Sequence, residues 1–367
     1  MIHLVTGATG FLGSRLILEL LGQGPDHKVV ALARDARGVS AQDRVLAQLR
    51  EAVEKYEFPG IGTDLESRVT VVAGDFASLP DLPAKIDSAW HTAASLKFLD
   101  RDAEEIYSAN VEAVENLVAW LRTHGAAELN HVSTAYVAGE AEGIISEDAF
   151  DPAIPANNYY EHSKRLGEDV VLKSGIPSRI MRPSVVVGDS TTYQTMSSAG
   201  FYGFYRSVNS FKKRVSVKLG DLFSNTPVNL ITNPEARADF VTVDGCVRGM
   251  VAAGLGGADL GTVTHLTNPG GTTMGEMLDT VFFGLGLKTP NFVSSEGQLS
   301  SIDRELSEKI EFYAPYIKQA KEFEHGSAQI SELTTHPISR VDLEKFLSAF
   351  SQWAGIPHSP GASHSNI

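Results

Sequence analysis

Residues 1–13, MIHLVTGATGFLG, constrain the fold of this chain more than any other stretch. A short apolar strand, Ile2 to Val5, runs straight into a turn holding Gly7, Gly10 and Gly13. An apolar-periodic helix follows, with Phe11, Leu12, Leu16, Ile17, Leu20 and Leu21 on its inner face. A strand end, a glycine turn and a helix N-terminus stand in the order that a dinucleotide pyrophosphate needs. The glycines let backbone approach phosphate closely, and the unpaired N–H groups of the first helical turn face the anion. The spacing is GxxGxxG rather than GxGxxG, and a glycine triplet alone also serves plain strand–helix packing. Its position between strand and helix selects the nucleotide reading.

The rest of the chain alternates strand and helix patterns. The second strand, His27 to Ala33, ends at Arg34, with Arg37 and Arg44 close behind. In a dinucleotide fold this strand end lies beside the adenosine ribose, where an acid reads a 2′-hydroxyl and an arginine accommodates a 2′-phosphate. Arg34 therefore points to NADPH. Asp35 competes as a ribose acid displaced by one place, but strand alternation turns it away from Arg34. The plain alternative for Arg34 is a solvated charge at a strand end. A helix over Ala41 to Tyr56 leads to a third strand, Arg68 to Ala73, followed by Gly74-Asp75-Phe76. Asp75 either accepts from the adenine amino group or caps a turn.

The fourth strand, Ser88 to His91, runs into Thr92-Ala93-Ala94-Ser95, small residues against which a cofactor ribose can lie. A long amphipathic helix, Ala103 to Thr123, carries Asn110. A fifth strand, Glu128 to Val132, ends at Ser133-Thr134. A helix over Asn158 to Lys173 follows, and then a sixth strand, Ser178 to Met181, ending at Arg182-Pro183-Ser184. This pattern predicts an α/β fold, a Rossmann doubly wound parallel sheet over residues 1–188. Asp239 to Val243 and Thr262 to Leu266 are expected to return to that sheet. Residues 189–237 and 269–356 form a smaller, mostly helical substrate lobe in this reading, and 357–367 a frayed Ser/Gly/Pro/His tail.

The formal charge of −14 argues against nucleic acid or an anionic membrane as partner. The single cysteine, Cys246, excludes an internal disulfide and fits a reducing, cytoplasmic setting as a core residue. No apolar run is long enough to span a bilayer, no signal-peptide h-region precedes the first strand, and no HExxH or CxxC spacing suggests a metal.

The chemistry is expected from Thr134, Tyr160 and Lys164. Tyr160 and Lys164 lie one helical turn apart and share a face. An ammonium beside a phenol favours the phenolate and lowers the phenol's pKa toward working pH. Tyr160 can then give a proton to an oxygen whose carbon receives a hydride, while Thr134 donates a hydrogen bond to the same oxygen. Asn110 is placed in a water relay to the lysine. The plain alternative is a surface i,i+4 pair.

TGATGFLG, HTAAS, the Asn110 helix, HVSTAYV, YxxxK and IMRPSVVVGDS, in this order, resemble an extended short-chain dehydrogenase/reductase. More narrowly, HTAASLKF, HVSTAYVAG and RPSVVVGDS resemble the thioester reductase and fatty acyl-CoA reductase, or male sterility, branch. The motifs cover about residues 1 to 190, with a looser echo in DFVTVDGCVRGM. The resemblance implies that Gly7, Thr9, Gly10, Phe11, Leu12, Gly13, Arg34, Arg44, Asp75, Phe76, Ala93, Ala94 and Ser95 line the cofactor site. It also implies that Thr134, Tyr160 and Lys164 are catalytic, and that Pro183, Ser184 and Val185 meet the nicotinamide end.

The implied reaction is hydride transfer from NADPH to an acyl thioester, acyl-CoA or acyl carrier protein, giving an aldehyde, with reduction either stopping there or going on by a second hydride to the alcohol. Phe201, Tyr202, Phe204, Tyr205, Phe211 and Phe223 supply either an apolar acyl groove or a lobe core. Lys212, Lys213, Arg214 and Lys218 supply either a phosphate or carrier dock or a solvated helix end. Competing readings are a ketone reductase of secondary metabolism, a nucleotide-sugar epimerase or dehydratase, and a non-enzymatic NADP sensor. Ala135-Tyr136 stand where a dehydratase wants acids, and the intact Thr134, Tyr160 and Lys164 set argues against a sensor. The oligomeric state is left open.

Overall fold

The computed structural model describes residues 1–58, 60–62, 64–82, 85–124, 126–148 and 150–358. The tail expected over 357–367 lies, from 359 on, outside the described residues. Seven strands form one sheet: β1 Ile2–Thr6, β2 Lys28–Ala33, β3 Val69–Ala73, β4 Ser88–His91, β5 Glu128–Val132, β6 Ser178–Pro183 and β7 Val263–Leu266. Their order is β3-β2-β1-β4-β5-β6-β7, and every neighbouring pair is parallel. Strand order reverses between β1 and β4, which opens a crevice at the carboxyl edge.

Both faces of the sheet are covered, so successive strand residues enter opposite cores. Leu4 packs with Val30, Leu117 and Leu129 on one face, and Val5 with Leu16, Val45 and Met250 on the other. The covering helices are α1 Phe11–Gly22, α2 Ala41–Lys55, α3 Ala103–Tyr107, α4 Ala113–His124, α5 Tyr159–Leu172 and, after α6 Gly200–Leu219, α7 Val243–Ala252. Helices α2, α5 and α7 start on the side-chain caps Ser40, Asn158 and Thr242. Helix α1 starts from Gly10 with no such cap. A third core joins aromatic residues of α6 to α8 Met274–Gly284, α9 Ser301–Lys309 and α10 Arg340–Ala354, with Tyr202, Tyr205, Phe211, Phe282, Phe346 and Phe350 fully buried. The helix Ala328–Thr334 instead packs on α7 and sends Ile330 into the core behind β1.

Two expected elements differ. The helix expected over 103–123 is interrupted by a π-turn, Ser108–Glu112, because Asn110 turns inward to hydrogen-bond Ser95 and Ser163. Of the two segments expected to return to the sheet, Val263–Leu266 does so. Phe240–Thr242 instead pairs with Val185–Val187 in a separate parallel pair, since the chain bends out of β6 after Pro183. Cys246 is a fully buried free thiol of α7.

Candidate functional site

The glycine turn is shaped by close approach of two strand ends and a helix. Gly7 has φ +74°, and a Cβ there would lie 2.6 Å from Thr92 Oγ1 and 2.7 Å from the Ala93 nitrogen. The Gly10 N–H donates to the Gly7 carbonyl at 2.8 Å, and a Cβ on Gly13 would overlap that same carbonyl. The first-turn N–H groups of α1 have no side-chain cap, and no acid stands in that turn. They are free to meet an anion.

A cleft of about 790 Å³ opens from this turn along the carboxyl edge of the sheet and under the helical lobe. Gly10, Phe11, Leu12, Gly13, Ala94, Thr134, Tyr160, Lys164, Pro183, Ser184 and Val185 all line it. Its far wall is apolar: Phe201, Phe204, Met274, Met277, Phe312, Tyr313 and Tyr316. Phe98, from the loop after β4, stacks on Phe312 with ring centroids 3.4 Å apart and joins sheet to lobe. Of the six aromatics expected as an acyl groove, Phe201 and Phe204 border the cleft. Tyr202, Tyr205, Phe211 and Phe223 belong to the lobe core.

Thr134 follows β5 and accepts from the Tyr136 N–H at 3.3 Å, while its hydroxyl donates weakly to the Pro183 carbonyl at 3.4 Å. It also hydrogen-bonds the Tyr160 phenol. The Lys164 ammonium donates to the Val132 carbonyl at 2.7 Å. The expectation that this ammonium lowers the phenol's pKa is not met. Burial first, and then the Glu161 carboxylate, push Tyr160 up to about 12, against the opposing Thr134 hydrogen bond. Burial also brings Lys164 down to about 8, the Glu168 carboxylate opposing. At neutral pH Tyr160 is a protonated donor.

Asn110 does not reach the cleft. Its Nδ2 donates to the Ser95 carbonyl at 3.1 Å and to Ser163 Oγ at 2.9 Å, and its Oδ1 accepts from the Ser95 N–H at 2.7 Å. These contacts make its side chain a clamp between the loop after β4 and α5.

The other expected cofactor residues stand apart from the cleft wall. Gly7, Thr9, Ala93 and Ser95 form the turns behind it. Arg34 is exposed at the end of β2, and Arg44 donates to the Arg34 carbonyl. Asp35 accepts from the Ala41 N–H at 2.7 Å, which fixes it on the start of α2. One oxygen of Asp75 accepts from the N–H groups of Ala77 and Ser78, each at 3.0 Å, the turn-residue alternative. Phe76 sets its ring edge-on to His91, centroids 5.4 Å apart. In the basic run, Lys212 donates to the Leu285 carbonyl and Arg214 pairs with Glu305, which leaves Lys213 and Lys218 exposed.

Several lining residues carry no local signal in the sequence. Tyr136, two places after Thr134, has its phenol pushed well up by burial, with Asp239 and Glu161 adding to the effect. Tyr316 donates to Glu161 Oε1 at 2.7 Å and accepts from Asn158 Nδ2 at 2.9 Å, pinning the lobe to the start of α5. Asp239 and Arg237 enter from the segment before Phe240. Asp239 opens the stretch DFVTVDGCVRGM, which assigns it no role, and Arg237 lies outside it. Among the described residues no group of three or more His, Cys, Asp or Glu is arranged to hold a metal, and no helix is long and apolar enough to cross a membrane.

A parallel sheet in this order, a glycine turn at its switch point and a Thr–Tyr–Lys set at the next strand and helix define an extended short-chain dehydrogenase/reductase. The chain belongs to the NAD-binding family described as male sterility protein, whose profile matches residues 5–250. It is 26% identical over 296 residues to a linear gramicidin synthase polypeptide of Brevibacillus parabrevis, 76% of this chain but 5% of that one. It is 27% identical over 290 residues to fatty acyl-CoA reductase 2 of Homo sapiens, 68% of this chain and 54% of that one. The chain thus spans from a twentieth to about half the length of these curated relatives. Its fold is similar to the terminal R domain of the myxalamid PKS-NRPS biosynthetic pathway, with TM-score 0.73 and 22% identity over 98% of this chain and 92% of that one.

Proposed function

We propose that this chain is an NADPH-dependent reductase that transfers hydride to the carbonyl of an acyl thioester, carried on CoA or on a carrier protein. The products are thiol and aldehyde, with a second hydride giving alcohol. The observation that carries the reading is one cleft in which the glycine turn, the Thr134–Tyr160–Lys164 set and an apolar lobe wall meet.

The residues fit a nicotinamide dinucleotide. The uncapped N-terminus of α1, with Gly10 and Gly13 lining the cleft beside it, suits a pyrophosphate, and Pro183, Ser184 and Val185 border the reacting end. When bound, the cofactor supplies the hydride. Arg34, exposed at the ribose end, suits a 2′-phosphate, and Asp35 is turned onto α2 and leaves the place open. In this reading residues 1–188 hold the cofactor and the helical lobe holds the acyl chain. Tyr160, kept protonated by burial, donates to the carbonyl oxygen as charge develops there, and Thr134 adds a second donor. Lys164, held on Val132, sets an ammonium beneath this pair.

The test is to follow NADPH absorbance and free thiol together on a panel of acyl-CoAs and acyl carrier proteins. Thiol released in step with NADPH oxidation, and lost in Tyr160→Phe, is the expected result. One NADPH per thiol marks the aldehyde and two the alcohol. NADPH oxidation by ketones but by no thioester would replace this reading with the ketone reductase.

A further inference from the structure

Among the described residues that line the cleft, Asp239 is the one carboxylate. The parallel pairing of Phe240–Thr242 with Val185–Val187 sets it beside Ser184, which follows Pro183, the residue whose carbonyl accepts from Thr134, and Tyr160 lines the same cleft. Its Oδ1 accepts twice, from the Ser184 hydroxyl and from the Asn268 N–H at 2.9 Å. Asn268 is itself anchored, donating from Nδ2 to the carbonyls of Phe240 at 2.9 Å and His336 at 2.6 Å. The carboxyl plane is therefore fixed by one oxygen, and Oδ2 has no protein hydrogen bond among the described residues. A carboxyl gripped on one side only, in a cleft wall otherwise made of apolar groups, hydroxyls and cations, is a group presented to a ligand.

Burial raises its carboxyl to about 6, against the opposing pull of Ser184, Asn268 and Arg237. The other titratable groups that line the cleft are Tyr136 after β5, Tyr160 and Lys164 of α5, Arg206 of α6, and Arg237, Lys309, Tyr313 and Tyr316. Tyr160 and Asp239 are thus two acids with widely separated strengths in one cleft, an arrangement that divides proton-transfer roles.

Reduction of a thioester needs protons at two atoms, the carbonyl oxygen and the departing sulfur. Resting on the thioester reading above, we propose that Asp239 is the acid that protonates the departing sulfur. The carbonyl carbon receives hydride from the reduced nicotinamide, the C=O π bond opens, and the oxygen takes the Tyr160 proton to give a hemithioacetal. The C–S bond then breaks as the C=O bond reforms. The hemithioacetal O–H proton returns to the Tyr160 oxygen, and the Oδ2 proton of Asp239 passes to sulfur. Aldehyde, thiol and oxidised nicotinamide result, and the Asp239 carboxylate recovers one proton from solvent. One hydride and one solvent proton are consumed.

The test compares two thioesters of the same acyl chain in single turnover with the full chain and NADPH. One has an alkyl thiol leaving group and the other a nitrothiophenol, whose anion departs without a proton. In Asp239→Asn the alkyl thiol is expected to leave about 100-fold more slowly, the usual worth of a general acid, and to lag behind NADPH oxidation, while the aryl thiol leaves at the wild-type rate. In the wild type, alkyl thiol release falls as pH rises above about 6 and aryl release does not, a comparison that needs no variant to fold. Equal losses on both thioesters in the variant, or identical wild-type pH profiles, would overturn the role of Asp239 alone. Wild-type silence on both thioesters would overturn the thioester reading and this role with it.

Discussion

Lys164 reaches from the middle of α5 to the last residue of β5 and donates to the Val132 carbonyl oxygen at 2.7 Å, with both residues buried. A helix interior and a strand end are thereby joined directly behind Thr134, and the charge that the site needs is held where water cannot solvate it.

That placement makes stability depend on pH. Burial lowers Lys164 from 10.5 to about 8 in the folded chain. Below pH 8 both states carry the proton and the folded state bears the full desolvation cost. Between pH 8 and 10.5 the unfolded chain binds a proton that the folded chain does not, so stability rises with pH. Lys164→Met removes this dependence and turnover together. The urea-unfolding free energy of the wild type should gain about 3 kcal/mol on that of the variant between pH 7.5 and 10.5. A difference that stays flat across this range would mean that the ammonium is not desolvated.

Gly13→Ala tests the turn. The added methyl would overlap the Gly7 carbonyl, and Gly7 cannot retreat because it is packed on Thr92 and Ala93. The backbone of the turn must shift, at about 1–3 kcal/mol of stability. NADPH affinity, read by fluorescence titration, should fall at least about tenfold, or 1.4 kcal/mol. Unchanged affinity would show that the pyrophosphate does not lie on this turn.

The parts of this site legible in the sequence are those set by local rules. Strands β4 and β5 run straight into the small-residue stretches Thr92-Ala93-Ala94-Ser95 and Ser133-Thr134, so their ends, and with them Ala94 and Thr134, are readable from the sequence. Tyr160 and Lys164 follow from helical spacing alone. Asp239 was not legible, because it meets Ser184 across 55 residues through a strand pair outside the main sheet. The same holds for Tyr316, which reaches Glu161 across 155 residues. The rise in the Tyr160 pKa escaped because burial belongs to the tertiary structure, whereas the i,i+4 lysine suggested the opposite direction. The π-turn at Asn110 escaped because nothing in a smooth amphipathic pattern marks an inserted residue.

Arg182 and Glu168 form a buried fork, Nε to Oε1 at 2.9 Å and Nη2 to Oε2 at 2.7 Å, that fastens α5 to β6. Arg182 also donates to the Asp148 carbonyl at 2.8 Å. Removing one partner strands a buried charge, so Arg182→Met should lower the unfolding free energy by about 3–5 kcal/mol. The double variant with Glu168→Met should recover part of that loss, because no charge is left unpaired. Chemical denaturation of the three proteins decides it, and additive losses would contradict a coupled pair.

Asn110 separates two roles that lead to different kinetics. As a clamp, it holds both backbone groups of Ser95 and, through Ser163, the first turns of α5. Ser163 in turn donates to the Tyr160 carbonyl at 2.8 Å, so the clamp ends on the residue that carries the phenol. Asn110→Ala leaves the Ser95 N–H and carbonyl without a side-chain partner at a cost of about 1–3 kcal/mol. The loop after β4 then loosens against the cofactor, and KM for NADPH should rise about tenfold with little change in kcat once saturated. Were the Asn110 side chain instead a link in a proton relay to Lys164, kcat itself would fall and its pH profile would move, while KM stayed near the wild-type value. Its amide is engaged on Ser95 and Ser163 rather than on the lysine, so the KM effect is the expected one, and a shifted pH profile of kcat would reverse that assignment.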